Sequence, residues 1–307
     1  MSLSAGKTGP DASSTSSSST LDENEPPLTV IGPRSESNPL DLVSLWRYRE
    51  LLYFLAWRDV KVRYKQTLLG AAWAVLQPTL MMVIFTLVLH RMAGVSGGDV
   101  PYPLFVYAGL LPWVFFASAI TSAGQSVVSS EQLITKVHFP RLLIPFGAVA
   151  AAMVDFALAF TVLLCLMAYY GVAPAWTVVF VPGAVLLLVL AALGVGALLA
   201  ALNVAYRDVR HVLPFLVQLW LFATPSIYLP TTPVPAGSQA NDQASATAGG
   251  DRSGADSKPE SAAQPGVGRL FDVNPLNGLI AFFRNALVGD PLPWGRLGYS
   301  ALLIGCL

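Results

Sequence analysis

The side chains that could do chemistry are few and lie far apart in this sequence. Asp155 is the one carboxylate inside the apolar stretches, where an ionisable group points to a functional site by default. It could instead face a helix bundle or a subunit interface and be satisfied by hydroxyl or backbone partners, and we favour that role. His90, His138 and His211 fall near the boundaries of different stretches, so they form no metal-ligand set or catalytic dyad. We therefore expect no enzyme, no metal and no bound cofactor.

ATP binding by this chain is also not expected. Gly6-Lys7-Thr8 matches the end of a phosphate-binding loop, but Met1 stands where that motif needs another glycine, and no strand precedes it. If the protein works with ATP, another chain supplies the ATPase together with the ATP and Mg it binds.

Composition indicates that lipid is the solvent. Hydrophobic residues make up 54% of the chain and charged residues 12%, and the net charge is zero. A soluble domain of this length needs more polar surface, and zero net charge argues against a nucleic-acid partner. Cys165 and Cys306 lie in apolar runs and are too few for a disulfide framework.

The apolar stretches predict an all-α, polytopic membrane protein with about six transmembrane helices. A hydrocarbon core of about 30 Å takes roughly 20 helical residues. The third stretch is longer than needed, so it tilts or is broken near Pro145 and Gly147. The sixth is cut off at Leu307, so it is either incomplete or unusually short. The predicted spans cover residues 68–90, 104–124, 143–169, 177–202, 212–228 and 293–307.

Basic residues predict the orientation. They cluster before the first span, between the second and third, and between the fourth and fifth, whereas short loops on the other side hold only Arg91. The positive-inside rule then places the N-terminus in the cytoplasm.

Two segments are predicted to be disordered. Residues 1–37 are Ser-, Thr-, Pro- and Glu-rich without an apolar core, and residues 236–266 form an Ala-, Ser-, Gly- and Asp-rich exterior insertion. The permease domain is therefore residues 38–307.

An amphipathic helix is predicted from Asp41 to Lys65, after a cap at Asn38-Pro39. At 100° per residue, one face gathers aromatic and aliphatic residues and another gathers basic ones. Such a helix before a span lies in the headgroup layer, although an ordinary solvated helix is the alternative. The apolar face holds Leu42, Trp46, Tyr53, Val60 and Tyr64, and the basic face holds Arg47, Arg58, Lys61 and Lys65.

A second helix, from Phe271 to Gly289, is predicted in addition to the transmembrane spans. Asn274-Pro275 supplies a cap and a first-turn proline, and the apolar residues, Phe283 among them, recur at helical spacing. The segment is too short and too polar to be a span, so we expect a short re-entrant or surface helix at the outer mouth.

Aromatic residues flank several spans. Most are expected to anchor the spans at the membrane interface, but some could line a route for sugars, because aromatic faces stack on pyranose rings. Trp113 and Phe116, together with Asp155, are the candidate pore residues.

Four segments, taken in order, resemble those of one family. They are Trp57-Arg58-Asp59 through Tyr64-Lys65 to Leu69-Gly70, Leu110-Leu111-Pro112-Trp113, Glu131 to Arg141 followed by Leu142 to Pro145, and Asn274-Pro275-Leu276. Together they resemble permeases of type 2 ABC exporters, most closely the branch that moves O-antigen, capsule or teichoic-acid chains. The resemblance runs from about Asp41 to the end. The insertion at 236–266 and the missing end of the sixth span depart from it.

The resemblance implies a homodimer in the bacterial plasma (inner) membrane that pairs with a cytoplasmic ABC ATPase and moves a lipid-linked glycan, admitted near the interface helix. The segment Glu131 to Arg141 would be the coupling helix, and the loop Asn203 to His211 a smaller second contact. The helix after Asn274 would be the outer gate. The residues implied in coupling are Glu131, Gln132, Leu133, Lys136, Phe139, Pro140, Arg141, Arg207 and Asp208; those of the interface helix are Trp46, Arg58, Lys61, Tyr64 and Lys65; those of the outer gate are Asn274, Pro275 and Phe283.

Three alternatives remain. A type 2 ABC exporter of a drug or lipid would have a uniformly aliphatic pore. An integral-membrane enzyme of glycan assembly would need several carboxylates or histidines near one membrane surface. A passive channel would need no coupling segment, so deleting Glu131 to Arg141 would leave transport intact.

Overall fold

A computed structural model of the chain describes residues 46–65, 70–92, 100–136, 139–227 and 274–306. Within these ranges the regular elements are all helices and there is no strand, which confirms the all-α prediction. The predicted tail, the cap at Asn38-Pro39 and the insertion at 236–266 lie outside the described residues. The nine α-helices of the described ranges are α1 (Arg49–Lys65), α2 (Ala72–Phe85), α3 (Tyr102–Ser129), α4 (Glu131–Lys136), α5 (Leu143–Tyr170), α6 (Val181–Ala205), α7 (Val209–Phe222), α8 (Pro275–Val288) and α9 (Trp294–Cys306).

Four helical segments of the described ranges are long and apolar enough to cross a membrane: Ala72–Met92, Tyr102–Ser129, Leu143–Tyr170 and Trp176–Ala205. The first includes a π-helical turn, Thr86–Met92, and the last begins with a 3₁₀ turn, Trp176–Phe180. They match the first four predicted spans to within a few residues. The third is continuous through Pro145 and Gly147, so the predicted break is wrong.

The fifth and sixth predicted spans form shorter helices. Helix α7 has 14 residues and α9 has 13 in the described part of the chain, so at 1.5 Å per residue each reaches only about 20 Å. Helix α7 is followed by the 3₁₀ turn Pro225–Ile227, since Thr224 and Pro225 interrupt the apolar run. Within the described residues, α7 is therefore shorter than the predicted fifth span, whereas α9 is short as predicted for the sixth.

Helix α3 is the centre of the bundle. Eighteen of its 28 residues are buried. Small residues allow its neighbours to approach closely, as is common between membrane helices. A Cβ placed on Gly196 of α6 would lie 2.8 Å from the Ala123 Cβ, and one on Gly109 would lie 2.7 Å from the Ile227 carbonyl oxygen. The tightly packed α3 therefore fixes where the other helices end.

Helix α1 packs along α5 through a face that the sequence pattern did not identify. Leu55 is its buried residue, and a Cβ on Gly147 would lie 3.1 Å from the Leu55 Cβ. Trp46 and Tyr53 of the predicted apolar face are 73% and 63% exposed, so the described chain does not cover them. Contact with α5 decides which residues of α1 are covered, and the place of the exposed face in the headgroup layer stays a prediction.

Candidate functional site

The predicted coupling segment folds as the short helix α4. Glu131 occupies its first turn and Lys136 its last, an arrangement that suits the helix dipole. The backbone amides of Leu133 and Ile134 both donate to the Ser130 carbonyl oxygen. None of the six residues of α4 is buried. The segment is therefore an ordered but uncovered projection between α3 and α5.

Both predicted coupling contacts line one groove. It has a volume of about 630 Å³, and its rim carries Glu131, Arg141 and Arg207. The rest of its lining is mainly apolar and includes Leu142 and several residues of α6. The structure thus brings the α4 segment and the loop before α7 together, although they lie some seventy residues apart in the chain. Gln132 and Lys136 are exposed beside the groove, Phe139 and Pro140 are half-buried, and Asp208 precedes the first residue of α7.

A buried amide supports this end of the bundle. The Asn203 side chain is 4% exposed, and its Nδ2 donates to the Gly124 carbonyl oxygen at 2.9 Å. This bond joins α6 to α3 directly behind the groove. The resemblance implies Asn203 as the first residue of the smaller contact loop, but in the structure it lies within α6. Its bond to Gly124 was not predicted, since a single Asn in an apolar helix gives no indication of its partner.

Asp155 is bound on both carboxylate oxygens by α1. One accepts a hydrogen bond from the Arg63 guanidinium, with which it forms an ion pair, and the other accepts from the Tyr64 hydroxyl. Arg63 also donates to Ser122 Oγ on α3 at 3.3 Å. The favoured role for Asp155, a partnered group facing the bundle, agrees with this geometry, but a guanidinium is one of the partners. Sequence reasoning missed Arg63, although an intramembrane carboxylate calls for a cation nearby.

The other predicted residues of the interface helix are exposed. Arg58 forms an ion pair with its neighbour Asp59 at 2.9 Å, and Lys61 and Lys65 are exposed. Tyr53 stacks on Trp57, with ring planes 9° apart. Helix α1 therefore has one side bound to the bundle and an aromatic and basic side that the rest of the described chain leaves uncovered.

Trp113 and Phe116 belong to the core of the chain. They are 3% and 1% exposed, and both pack against Trp220 of α7, with ring centroids 6.4 and 5.4 Å away. Within the described chain they are covered by tertiary contacts, which the sequence pattern does not give, and their assignment as pore residues stays a prediction.

The helix predicted after Asn274 is present as α8, and its role as an outer gate stays a prediction. Asn274 Oδ1 accepts from the Leu276 amide and Gly289 ends the helix in the left-handed conformation, as the cap pattern predicted. Asn274 also accepts from Trp220 Nε1 at 3.3 Å and donates to Thr224 Oγ1 at 2.8 Å. Its side chain therefore fastens the start of α8 to the end of α7.

Helix α8 is packed into the bundle. Eleven of its 14 residues are buried. Phe283 contacts the rings of Phe156 and Phe160 of α5, with centroids 6.2 and 6.4 Å apart. The Arg284 guanidinium lies 4.0 Å from the Phe105 ring centroid, and burial lowers its pKa to about 10, so it remains a cation at neutral pH.

Within the described ranges, no three or more His, Cys, Asp or Glu side chains gather where they could hold a metal ion. The geometry described above is that of a helical bundle with a charged, uncovered end and a packed opposite end.

A family model described as ABC-2 type transporter matches residues 50–237, from α1 to beyond α7. The chain belongs to the ABC-2 type transporter family. This match covers the α4 segment, its groove and the Arg63–Asp155 pair, and it confirms the family resemblance carried by the sequence motifs.

Relatives of this ABC-2 protein have names that concern polysaccharides. The chain is 36% identical over 185 residues to the O-antigen export system permease protein RfbA of Myxococcus xanthus, covering 60% of this chain and 70% of that protein. It is 30% identical over 180 residues to the protein of the same name from Klebsiella pneumoniae, covering 58% and 69%. It is also 28% identical over 79 residues to the polysialic acid transport protein KpsM of Escherichia coli, covering 24% and 29%.

Proposed function

We propose that this chain is the membrane-spanning subunit of an ATP-driven exporter that moves a lipid-linked polysaccharide of the O-antigen, capsule or teichoic-acid type across the bacterial plasma membrane. The observation that carries the proposal is the 36% identity, over 185 residues, to an O-antigen export permease. The four long apolar helices supply the membrane-spanning part. The distribution of basic residues supports an N-terminus in the cytoplasm.

ATP hydrolysis belongs to a separate partner subunit in this proposal. The sequence lacks a complete phosphate-binding loop, and none of the six residues of α4 is buried within the chain. A cytoplasmic ABC ATPase that holds ATP and Mg would seat α4 and the rim of the adjacent groove. A docked helix transmits a rigid-body displacement to the spans on either side of it, here α3 and α5.

A second copy of the chain completes the route in this proposal. Apolar side chains such as Leu80, Ile84 and Leu87 on the first span are about half exposed, so lipid or another copy must cover them. Since Trp113 and Phe116 are buried within one copy, the glycan crosses between the two copies and not through the core of either.

Purification from the native membrane tests the division of labour. We expect the tagged chain to carry a second polypeptide with a phosphate-binding loop, and ATPase activity to follow that polypeptide. Deleting the gene of the chain should abolish polysaccharide at the cell surface and leave lipid-linked glycan inside the cell. ATP hydrolysis by the purified chain with no second protein present would contradict the proposal.

A further inference from the structure

The helices α1 and α5 run parallel and in register. Two contacts define the register: Leu55 against Gly147, and Arg63 with Asp155. Each pair is separated by the same 92 positions in the chain. The two contacts are eight positions apart on both helices, which corresponds to about 12 Å along the axes. Helix α1 is therefore fastened to α5 at two levels, one of apolar packing and one of charge.

The charged level joins more than two helices. Asp155 is held by α1 alone among the hydrogen bonds described, and the Arg63 guanidinium reaches on to Ser122 of α3. A small cavity of about 50 Å³ places Ala74 and Gln77 of α2 beside Asp155. Four helices thus converge on one ion pair, whose carboxylate is only 19% exposed.

This ion pair lies on a direct line from the coupling segment. Helix α5 begins two residues after Arg141, and Gly147 lies in its second turn. Any displacement of the α4 segment enters α5 at that end. Because α1 follows α5 in register and leads into the first span, the first span would follow as well, provided that the contact at Asp155 holds.

From this geometry we infer that Arg63 and Asp155 are positioning residues that tie α1 and the first span to α5, so that ATP-driven displacement of the coupling segment moves all three helices together. The inference rests on the proposed function, because it assigns the pair a part in the same export cycle. Loss of the tie leaves the chain folded and attached to its ATPase but separates ATP hydrolysis from transport. The pair touches neither the ATPase nor the glycan in this assignment.

The test uses the full complex in membranes and a background without Cys165 and Cys306. Asp155→Asn and Arg63→Gln each remove the ion pair. We expect export per ATP hydrolysed to fall about tenfold in each, a change within the range of coupling between distant sites. ATP hydrolysis and the amount of assembled complex should change little. The exchange of charges in Arg63→Asp with Asp155→Arg should recover part of the export.

A disulfide cross-link between α1 and α5 distinguishes a tie between these helices from a general contribution of the ion pair to stability. The substitutions Leu55→Cys and Gly147→Cys would place two Cβ atoms 3.1 Å apart. The two helices need to separate by only a few tenths of an ångström to reach the Cβ–Cβ distance of a disulfide. Oxidation should form this disulfide in the wild-type pair background, and Asp155→Asn should lower its yield. In the Asp155→Asn protein, the formed disulfide should restore export, and reduction should abolish the recovery. Leu55→Cys alone is the matched control.

Three results overturn the inference: wild-type export per ATP in Asp155→Asn and Arg63→Gln, an unchanged disulfide yield without the ion pair, or no recovery of export when the disulfide has formed. The last would mean that the carboxylate acts on the substrate and not as a tie. If the unaltered complex exports no glycan with ATP, the proposed function fails instead, and the disulfide yields still decide whether the ion pair holds α1 on α5.

Discussion

The helices α4 and α8 make opposite use of their residues. None of the six residues of α4 is buried, whereas eleven of the 14 residues of α8 are. Helix α4 carries its charges at its two ends, and α8 buries even Arg284 against the Phe105 ring. The α8 end of the bundle is completed by the chain's own contacts, while the α4 end presents a surface that a partner would complete.

Because of this difference, we expect substitutions in α8 to lower the stability of the chain and substitutions in α4 to impair its coupling to a partner. Substitutions in α8 remove contacts that hold the chain together, so they should appear first in the free energy of unfolding. Substitutions in α4 remove no internal contact of comparable size, so they should appear in function while the fold persists. The predictions below test that separation in order of decreasing effect on stability.

The largest loss of stability is expected for Phe283→Ala. The change removes a fully buried ring from contact with Phe156 and Phe160 and leaves a cavity, which costs about 3–5 kcal/mol in comparable cores. Phe222→Ala is the control, because Phe222 is 60% exposed. Thermal unfolding of the purified protein in detergent measures both, and equal shifts in the two variants would remove the distinction between the packed end and the lipid-facing surface.

A smaller loss is expected for Gly278→Ala at the crossing of α8 and α9. The added Cβ would lie 2.7 Å from Ser300 Oγ and 2.8 Å from the Arg296 carbonyl oxygen, so the backbone must shift. Overpacking of this kind costs about 1–3 kcal/mol. Gly295→Ala meets no atom within 4 Å and should leave the melting temperature unchanged. If the two variants melt alike, α8 and α9 do not pack as described.

Asn274→Ala should cost about 1 kcal/mol through loss of the helix cap alone. It also removes the bonds to Trp220 and Thr224 that join α8 to α7. Asn274→Ser keeps a capping oxygen but lacks the amide donor, so it should fall between the wild type and the alanine variant. Unfolding curves of the three proteins measure this, and a serine variant no better than alanine would show that the cap contributes nothing.

The smallest change in stability, within about 0.5 kcal/mol, is expected for replacing Glu131, Lys136 and Arg141 of the coupling segment with alanine, because these side chains are exposed. ATP-driven export should nevertheless fall, since the surface offered to the partner is altered. Arg47→Ala, another exposed basic change, should leave export intact. Normal export in the triple variant would contradict the role given to α4.

The parts of this account that the sequence predicted are those set by local chemistry. The cap at Asn274, the helix end at Gly289 and the bounds of the first four spans follow from residue type and hydropathy over a few turns. The pairing of Arg63 with Asp155 spans 92 positions, and local spacing carries no information about it. The same limit explains why the burial of Trp113 and Phe116 was not predicted. An aromatic residue in a span gives the same sequence pattern whether it faces lipid, a transport pathway or a neighbouring side chain such as Trp220.

The buried face of α1 is a second instance. The helical spacing of the sequence places Tyr53 on the apolar face, but Leu55 and Arg63 are the residues that contact α5. Helix α1 is covered only along a narrow stripe. That stripe includes Leu55 because Gly147, a small residue of α5, allows the two helices to approach closely there. Knowledge of the partner helix was needed to find it.

The most direct test of the central claim is the movement of glycan into inverted membrane vesicles that contain this chain and its ATPase. A labelled lipid-linked polysaccharide is supplied outside, and its resistance to an added glycosidase is measured with time. The account predicts that resistance develops only with both proteins and hydrolysable ATP, and that it is lost when the coupling segment is replaced. Resistance that develops at the same rate without ATP, or with the chain alone, would contradict it.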